Sequence, residues 1–158
     1  MKIKILLITL MFLITACGYT PIFKTSTNLF KIEEYETLGN TQIANNFINS
    51  LKKFENNSEN SLESIFISID AKKNKEALLK DSSGKIITYK VDLVFKIIVK
   101  SNISKSTIFE DELKKSVNFK NKDSESETDQ LEDKIIQDTI NTLSRNLIVK
   151  INQSITIK

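Results

Sequence analysis

Histidine and tryptophan are absent from the 158-residue chain, which has one cysteine, one proline and three glycines. Without imidazole there is no Ser–His or Cys–His nucleophile pair. Neither His ligands nor paired Cys ligands exist for a zinc site, and a lone thiol cannot close an internal disulfide. Three glycines do not make a glycine-rich phosphate loop. Arginine is almost missing as well: Arg145 stands alone among 23 basic residues, and the formal net charge is +3. Nucleic-acid binders carry a larger basic excess and use arginine on base edges and phosphates, so no nucleic-acid partner is expected. A general base would have to be a perturbed carboxylate or lysine, and no sequence feature announces a pocket that would perturb one. A non-enzyme without metal or cofactor is the expectation.

What is present suits one packed domain. Hydrophobic residues make up 40 % and charged residues 27 % of the chain. Lys2 and Lys4 precede an apolar run from Ile5 to Ile14, followed by Thr15-Ala16-Cys17. A basic start, a short apolar run and small residues before a cut site describe a signal peptide over residues 1–16. Ten helical residues rise about 15 Å, half of the roughly 30 Å that a bilayer core demands. Ile14-Thr15-Ala16-Cys17 resembles the bacterial lipobox, whose cysteine receives a diacylglyceryl group and becomes the mature N-terminus. Acyl chains on Cys17 would hold the protein at a membrane, each buried CH2 adding about 0.8 kcal/mol. Gly18 follows, not the aspartate that keeps lipoproteins at the inner membrane, so the pattern implies the outer membrane. Beyond residue 16 the chain has 21 basic and 20 acidic residues, so attraction for anions must come from a local patch.

Residues 17–27, with Pro21, read as an extended lipidated tether, and 28–158 as a single domain. Leu29 to Thr37 favours a first strand. Gly39-Asn40-Thr41 is a break followed by a helix start, and Ile43, Phe47, Leu51 and Phe54 share one helical face. Glu55 to Ser61 is a polar loop. Ile65, Ile67 and Ile69 form one face of a strand, and a second β segment is expected over Glu76 to Lys80. Asp81-Ser82-Ser83-Gly84 is a hairpin turn. In the long strand that follows, Ile87, Tyr89, Val91, Leu93, Phe95, Ile97 and Val99 oppose Thr88, Lys90, Asp92, Lys96 and Lys100. A one-residue slip would bury that charge, which fixes the register. Phe109, Leu113, Val117 and Phe119 share a face of a strand over Thr107 to Phe119. Ser124 with Glu127, or Ser126 with Asp129, can open a last helix. Leu131, Ile135, Ile140, Leu143, Leu147 and Ile151 mark its apolar stripe, with Glu132 and Asp133 on the exposed side. The expected fold class is α+β: a two-layer sandwich of two helices on a roughly four-stranded, mostly antiparallel sheet.

Lys72, Lys73, Lys75, Lys80, Lys85 and Lys90 surround the hairpin, offset by Asp70, Glu76 and Asp81 alone. That local excess could face phosphates, although lysine-rich usage throughout the chain is a competing explanation. The start Cys17-Gly18-Tyr19-Thr20-Pro21 resembles that of LptE, the lipopolysaccharide-assembly lipoprotein family. The order of early strand, helix near Asn40, hairpin, two long strands and long final helix is similar too. Leu78-Leu79-Lys80-Asp81-Ser82-Ser83-Gly84, leading to Tyr89, resembles the family's basic-turn-glycine stretch before a strand tyrosine.

The resemblance implies a lipid-anchored, periplasm-facing protein within the lumen of the outer-membrane β-barrel LptD. There it would help the barrel assemble and assist delivery of lipopolysaccharide to the outer leaflet. A polar-surfaced domain suits a wide polar lumen that needs filling. The family's lipopolysaccharide-contacting basic position carries over to Lys80, with Lys85 and Lys122 as neighbours. The alternative is an auxiliary lipoprotein of an envelope lipid ABC transporter, for which a lipid-sized apolar pocket is expected.

Overall fold

The computed structural model describes residues 29–55 and 63–156. The expected signal peptide, the lipidation site Cys17, the tether 17–27 and most of the polar loop lie outside those residues. The described elements run β1 (Phe30–Gly39), α1 (Thr41–Lys52), β2 (Glu63–Lys80), β3 (Ile86–Ser101), β4 (Thr107–Lys120) and α2 (Glu125–Thr156). They form the α+β sandwich the patterning predicts, with strand order β1-β2-β3-β4. The sheet is mixed: α1 carries the chain across so that β1 lies parallel to β2, while β2–β3 and β3–β4 are antiparallel.

Local chemistry sets the crossover. Gly39 takes φ +68°, a conformation glycine adopts without steric cost. The next N–H, of Asn40, donates to the Ala71 carbonyl at 2.7 Å, which ends the β1–β2 ladder. The Asn40 side chain then accepts from the Ile43 N–H at 3.1 Å and caps α1. Ile43, Ala44, Phe47, Ile48 and Leu51 are buried from that helix, and Phe54 packs at the margin of the core. Phe47 meets Phe95 of β3 at 4.7 Å between ring centroids.

Alternation dictates the sheet face. Ile65, Ile67, Ile69 and Ala71 of β2 and Val91, Leu93, Phe95, Ile97 and Val99 of β3 are fully buried beneath the helices. The expected register of β3 holds, except that Ile87, on the same face, is exposed. The two β segments expected over 65–69 and 76–80 are one strand of 18 residues. The lysine-rich stretch between them stays extended because β3 pairs with it throughout and its inward lysines find anions.

The last helix is longer than its apolar stripe, with 32 residues. Of the two expected caps, Ser124 serves: its hydroxyl accepts from the Glu127 N–H at 3.1 Å. The buried row is Thr128, Glu132, Ile136, Ile140, Ser144, Leu147, Ile148 and Ile151. Leu131, Ile135 and Leu143, expected at its centre, pack along its flank. The opposite pole of α2 holds the chain entry, where the Leu29 N–H donates to Asn152 Oδ1 at 3.1 Å.

Candidate functional site at the hairpin end

Five residues turn β2 into β3, and Asp81 organises them. Its carboxylate Oδ1 accepts from the Ser83 N–H at 2.8 Å, the Ser83 hydroxyl at 2.6 Å and the Lys85 N–H at 2.9 Å. The Asp81 N–H donates to the Lys85 carbonyl, and the Gly84 N–H to that of Asp81. Gly84, at φ +86°, closes the turn in the left-handed region. These bonds, the Ser83 hydroxyl foremost, hold the Asp81 carboxyl below its ordinary pKa. The turn is thus a fixed support with one permanent anion.

The connection from β4 to α2 is strapped to the same end. Asn121 donates its N–H to the Ile87 carbonyl at 2.8 Å and its side-chain amide to the Ile86 carbonyl at 3.0 Å. The Thr128 hydroxyl donates to Asn121 Oδ1 at 2.9 Å and accepts from the Lys122 N–H at 3.0 Å. Lys80 stands opposite Ile86 in the ladder. The backbones of Lys80, Lys85 and Lys122, the three residues named from the sequence, therefore meet at one end of the sheet. All three are exposed and, among the described residues, none forms an ion pair. Lys120, opposite Thr88, belongs to the same end and was missed by the sequence reading, which stopped β4 at Phe119. Exposed Leu78, Leu79 and Ile87 lie beside these lysines.

The other hairpin lysines are engaged elsewhere. Glu132, expected on the exposed side of the last helix, is 5 % exposed. Lys73 Nζ lies 2.8 Å from one of its carboxylate oxygens and Lys75 Nζ 2.5 Å from the other. Burial alone would raise the Glu132 pKa, but hydrogen bonds from Lys73 and Lys75 outweigh it and hold the carboxyl below its ordinary value. For Lys75, partial burial pulls down and the Glu132 carboxylate pulls up more strongly, so its pKa rises. Lys75 also sits 4.5 Å above the Tyr89 ring, which stacks on Phe119 at 5.6 Å. The sequence stripe points Glu132 outward because it marks an apolar arc without its centre. The two inward lysines of β2 supply the reason for the rotation. On the other face, Lys90 bridges Glu76 at 3.2 Å and Asp92 at 3.0 Å. Of the six lysines in the expected patch, Lys72, Lys80 and Lys85 keep their charge unpaired among the described residues.

The uncovered sheet face is polar. Its depression, about 450 Å³, is lined by Leu38, Ser68, Asp70, Lys96, Ile98 and Glu110 among others. Among the described residues no cluster of acidic residues could hold a metal ion, and no helix is long and apolar enough to cross a membrane.

No protein-family model matches the chain, and no curated protein matches its sequence. Solved structures share the fold. The rare lipoprotein B from Shewanella oneidensis aligns with a TM-score of 0.54 at 6 % identity, over 78 % of this chain and 96 % of that one. The minor lipoprotein from Acinetobacter baumannii gives 0.56 at 12 % identity, over 80 % and 92 %. Lipoprotein B from Nitrosomonas europaea gives 0.51 at 13 % identity, over 80 % and 87 %. At such identities the likeness is one of fold.

Proposed function

We propose that this chain is a non-catalytic, lipid-anchored lipoprotein of the outer membrane that fills and helps assemble an LptD-type β-barrel and assists lipopolysaccharide delivery. The observation that carries the reading is the fold, common to proteins described as lipoproteins, on a chain whose Ile14-Thr15-Ala16-Cys17 resembles a lipobox. The resemblance of the sequence to LptE supplies the barrel and the lipopolysaccharide. A polar outer sheet face and a nearly balanced charge suit the water-filled lumen of a large barrel. Unpaired Lys80 and Lys85, with exposed Lys122, offer cations to lipid A phosphates, as point charges in place of a bidentate arginine fork.

Affinity purification of the tagged full chain from its native membranes, followed by mass spectrometry and stoichiometry, tests this. A one-to-one complex with an outer-membrane barrel is expected. Recovery of an inner-membrane ABC transporter in its place would transfer the protein to the auxiliary-lipoprotein class.

A further inference from the structure

Strand β4 closes the sheet: β3 pairs with it on one side and, among the described residues, no strand lies along the other. The Asn121 N–H bonds the Ile87 carbonyl, and the register then runs unbroken from Thr88–Lys120 to Ile98–Glu110. Odd-numbered backbone groups of β4 are thereby turned toward β3, and even-numbered ones, from Glu110 to Asn118, toward the open edge. Such an edge is a template for another strand. The Glu112 N–H on this edge bonds the Asp111 carboxylate of its own strand at 2.8 Å, a local contact that the carbonyl of an added strand can replace.

The edge carries its charge in two blocks. Glu110, Asp111 and Glu112 precede Leu113, and Lys114 and Lys115 follow it. Charges on an edge ordinarily keep other strands away, but this sequence is its own complement when reversed. A two-fold antiparallel register centred on Leu113 sets Glu112 opposite Lys114, Asp111 opposite Lys115 and Phe109 opposite Val117, each pair occurring twice. Glu112 and Lys114 lie on the open face, 3.1 Å apart within the strand and 40 % and 67 % exposed. A second copy completes a ring of four alternating charges there. Asp111 and Lys115 lie on the helix side, opposite Ile97 and Leu93 of β3. Asp111 holds Lys150 at 2.6 Å, while Lys115 forms no ion pair among the described residues. Phe109, Leu113 and Val117 pack at the margin of the core, so the apolar row would continue across the axis. Registers centred on Asp111, Glu112, Lys114 or Lys115 set like charges on each other, which destabilises a pair of strands. One centred on Ser116 keeps a single kind of opposed pair, Glu112 with Lys120.

Other occupants answer less of this pattern. Residues 1–28 hold Lys2, Lys4 and Lys24 and no acidic residue, so they cannot meet Lys114 and Lys115. A partner strand of one sign satisfies one block and is repelled by the other. The open stretch of β2, Lys72 to Lys80, offers a second copy one kind of opposed pair, Glu76 with Lys80, and its Lys73 and Lys75 are held by Glu132. From this we infer that the free edge of β4 pairs antiparallel with the same edge of a second copy, in the register centred on Leu113. The pairing joins two four-stranded sheets into one continuous sheet with the helices of both copies on the same side. Nine residues of each strand, Phe109 to Val117, meet over roughly 30 Å. The inference concerns the chain free of any barrel and does not depend on the barrel reading.

Sedimentation equilibrium of the full chain in density-matched detergent tests it, and a reversible monomer–dimer equilibrium below about 1 mM is expected. Lys114→Glu alone and Glu112→Lys alone should each weaken the dimer about tenfold, since each sets like charges on both open-face pairs. An equimolar mixture of the two variants should regain wild-type affinity, because every open-face pair across the mixed dimer then unites opposite charges. Both positions are exposed, so neither change threatens folding. Leu113→Cys should form a disulfide between copies under mild oxidation, as the two Cα atoms stand about 4.5 Å apart in this register. Lys120→Cys, far from the axis, and the wild-type chain, whose thiol is Cys17, should not. A chain that stays monomeric at about 1 mM would overturn the inference. So would a dimer indifferent to both charge reversals, a mixture that fails to recover, or Lys120→Cys crosslinking as readily as Leu113→Cys.

Discussion

Glu132 of α2 places both carboxylate oxygens on β2, one 2.8 Å from Lys73 and the other 2.5 Å from Lys75. This double clamp ties the start of the long helix to the hairpin where the apolar core runs out at Tyr89 and Phe119. Removing the carboxylate leaves two cations that are each about 30 % exposed and can recover water. Glu132→Ala should therefore cost about 2 kcal/mol, less than the loss of a fully buried pair. Urea denaturation checks it; a change below about 0.5 kcal/mol would mean the position behaves as an ordinary surface site.

The same carboxylate makes stability depend on acidity. Its folded pKa lies below the ordinary 4.5 because the Lys73 and Lys75 hydrogen bonds outweigh burial. A depressed folded pKa stabilises fully above the unfolded value, and that contribution drains away as pH falls toward the folded one. Asp92, bonded by Ser116 and Lys90, and Asp111, bonded by Lys150, act in the same direction. Denaturation midpoints should thus fall below about pH 4.5, and Glu132→Gln should make that fall shallower. Lys75, raised above 10.5, predicts a second loss as pH rises through its folded value.

Gly39 and Gly84 both have positive φ, but their surroundings differ. A Cβ at Gly39 would lie inside contact distance of the Ala71 carbonyl oxygen, whereas nothing stands within 4 Å of one at Gly84. Gly84→Ala should cost about 1 to 2 kcal/mol for its conformation alone. Gly39→Ala should cost roughly 2 kcal/mol more, since the added Cβ would meet the Ala71 backbone, which cannot swing away as a flexible side chain can. Thermal unfolding of the two variants side by side decides this; equal losses would mean that β1 can slide away from Ala71.

Leu93 is fully buried and its neighbour Asp92 faces the open side of the sheet, where it accepts from Lys90 and Ser116. Leu93→Lys should leave no folded protein, as an unpaired charge would enter the core. Asp92→Lys should fold and lose only a little stability, because it sets a cation beside Lys90 on the exposed face. Circular dichroism distinguishes them.

On the proposed function, Cys17→Ala should yield uncleaved or soluble protein, and intact-mass analysis of the native chain should show acyl chains. Lys80→Glu, with Lys85→Glu, should weaken lipopolysaccharide binding by repelling lipid A phosphates while recovery of the barrel complex stays near wild type. Unchanged lipopolysaccharide binding would remove the hairpin end from the ligand site and leave the barrel partnership to be judged by its own stoichiometry.

Alternation made β3 readable residue by residue, since Val91 to Val99 repeat with period two and every slip would bury lysine or aspartate. Asn40 announced α1 by its capping side chain. Three features could not be read along the chain. The continuity of β2 depends on anions that arrive from residues 129 and 132. The orientation of Glu132 depends on lysines some 60 positions away. The parallel pairing of β1 follows from where α1 delivers the chain, and strand propensity carries no direction. At the candidate site, Lys80 and Lys85 were legible as turn neighbours. Lys120 required the β3–β4 register, which places it opposite Thr88.

Helix α2 runs the whole height of the sandwich, from Thr128, latched to the hairpin strap, to Asn152, latched to the chain entry at Leu29. Those 24 positions correspond to about 36 Å of helix. The two poles are therefore separated by a strut and not by slack polypeptide. The lysine-bearing tip therefore stands at a set distance from Leu29, somewhat more than the roughly 30 Å of a membrane's hydrocarbon layer.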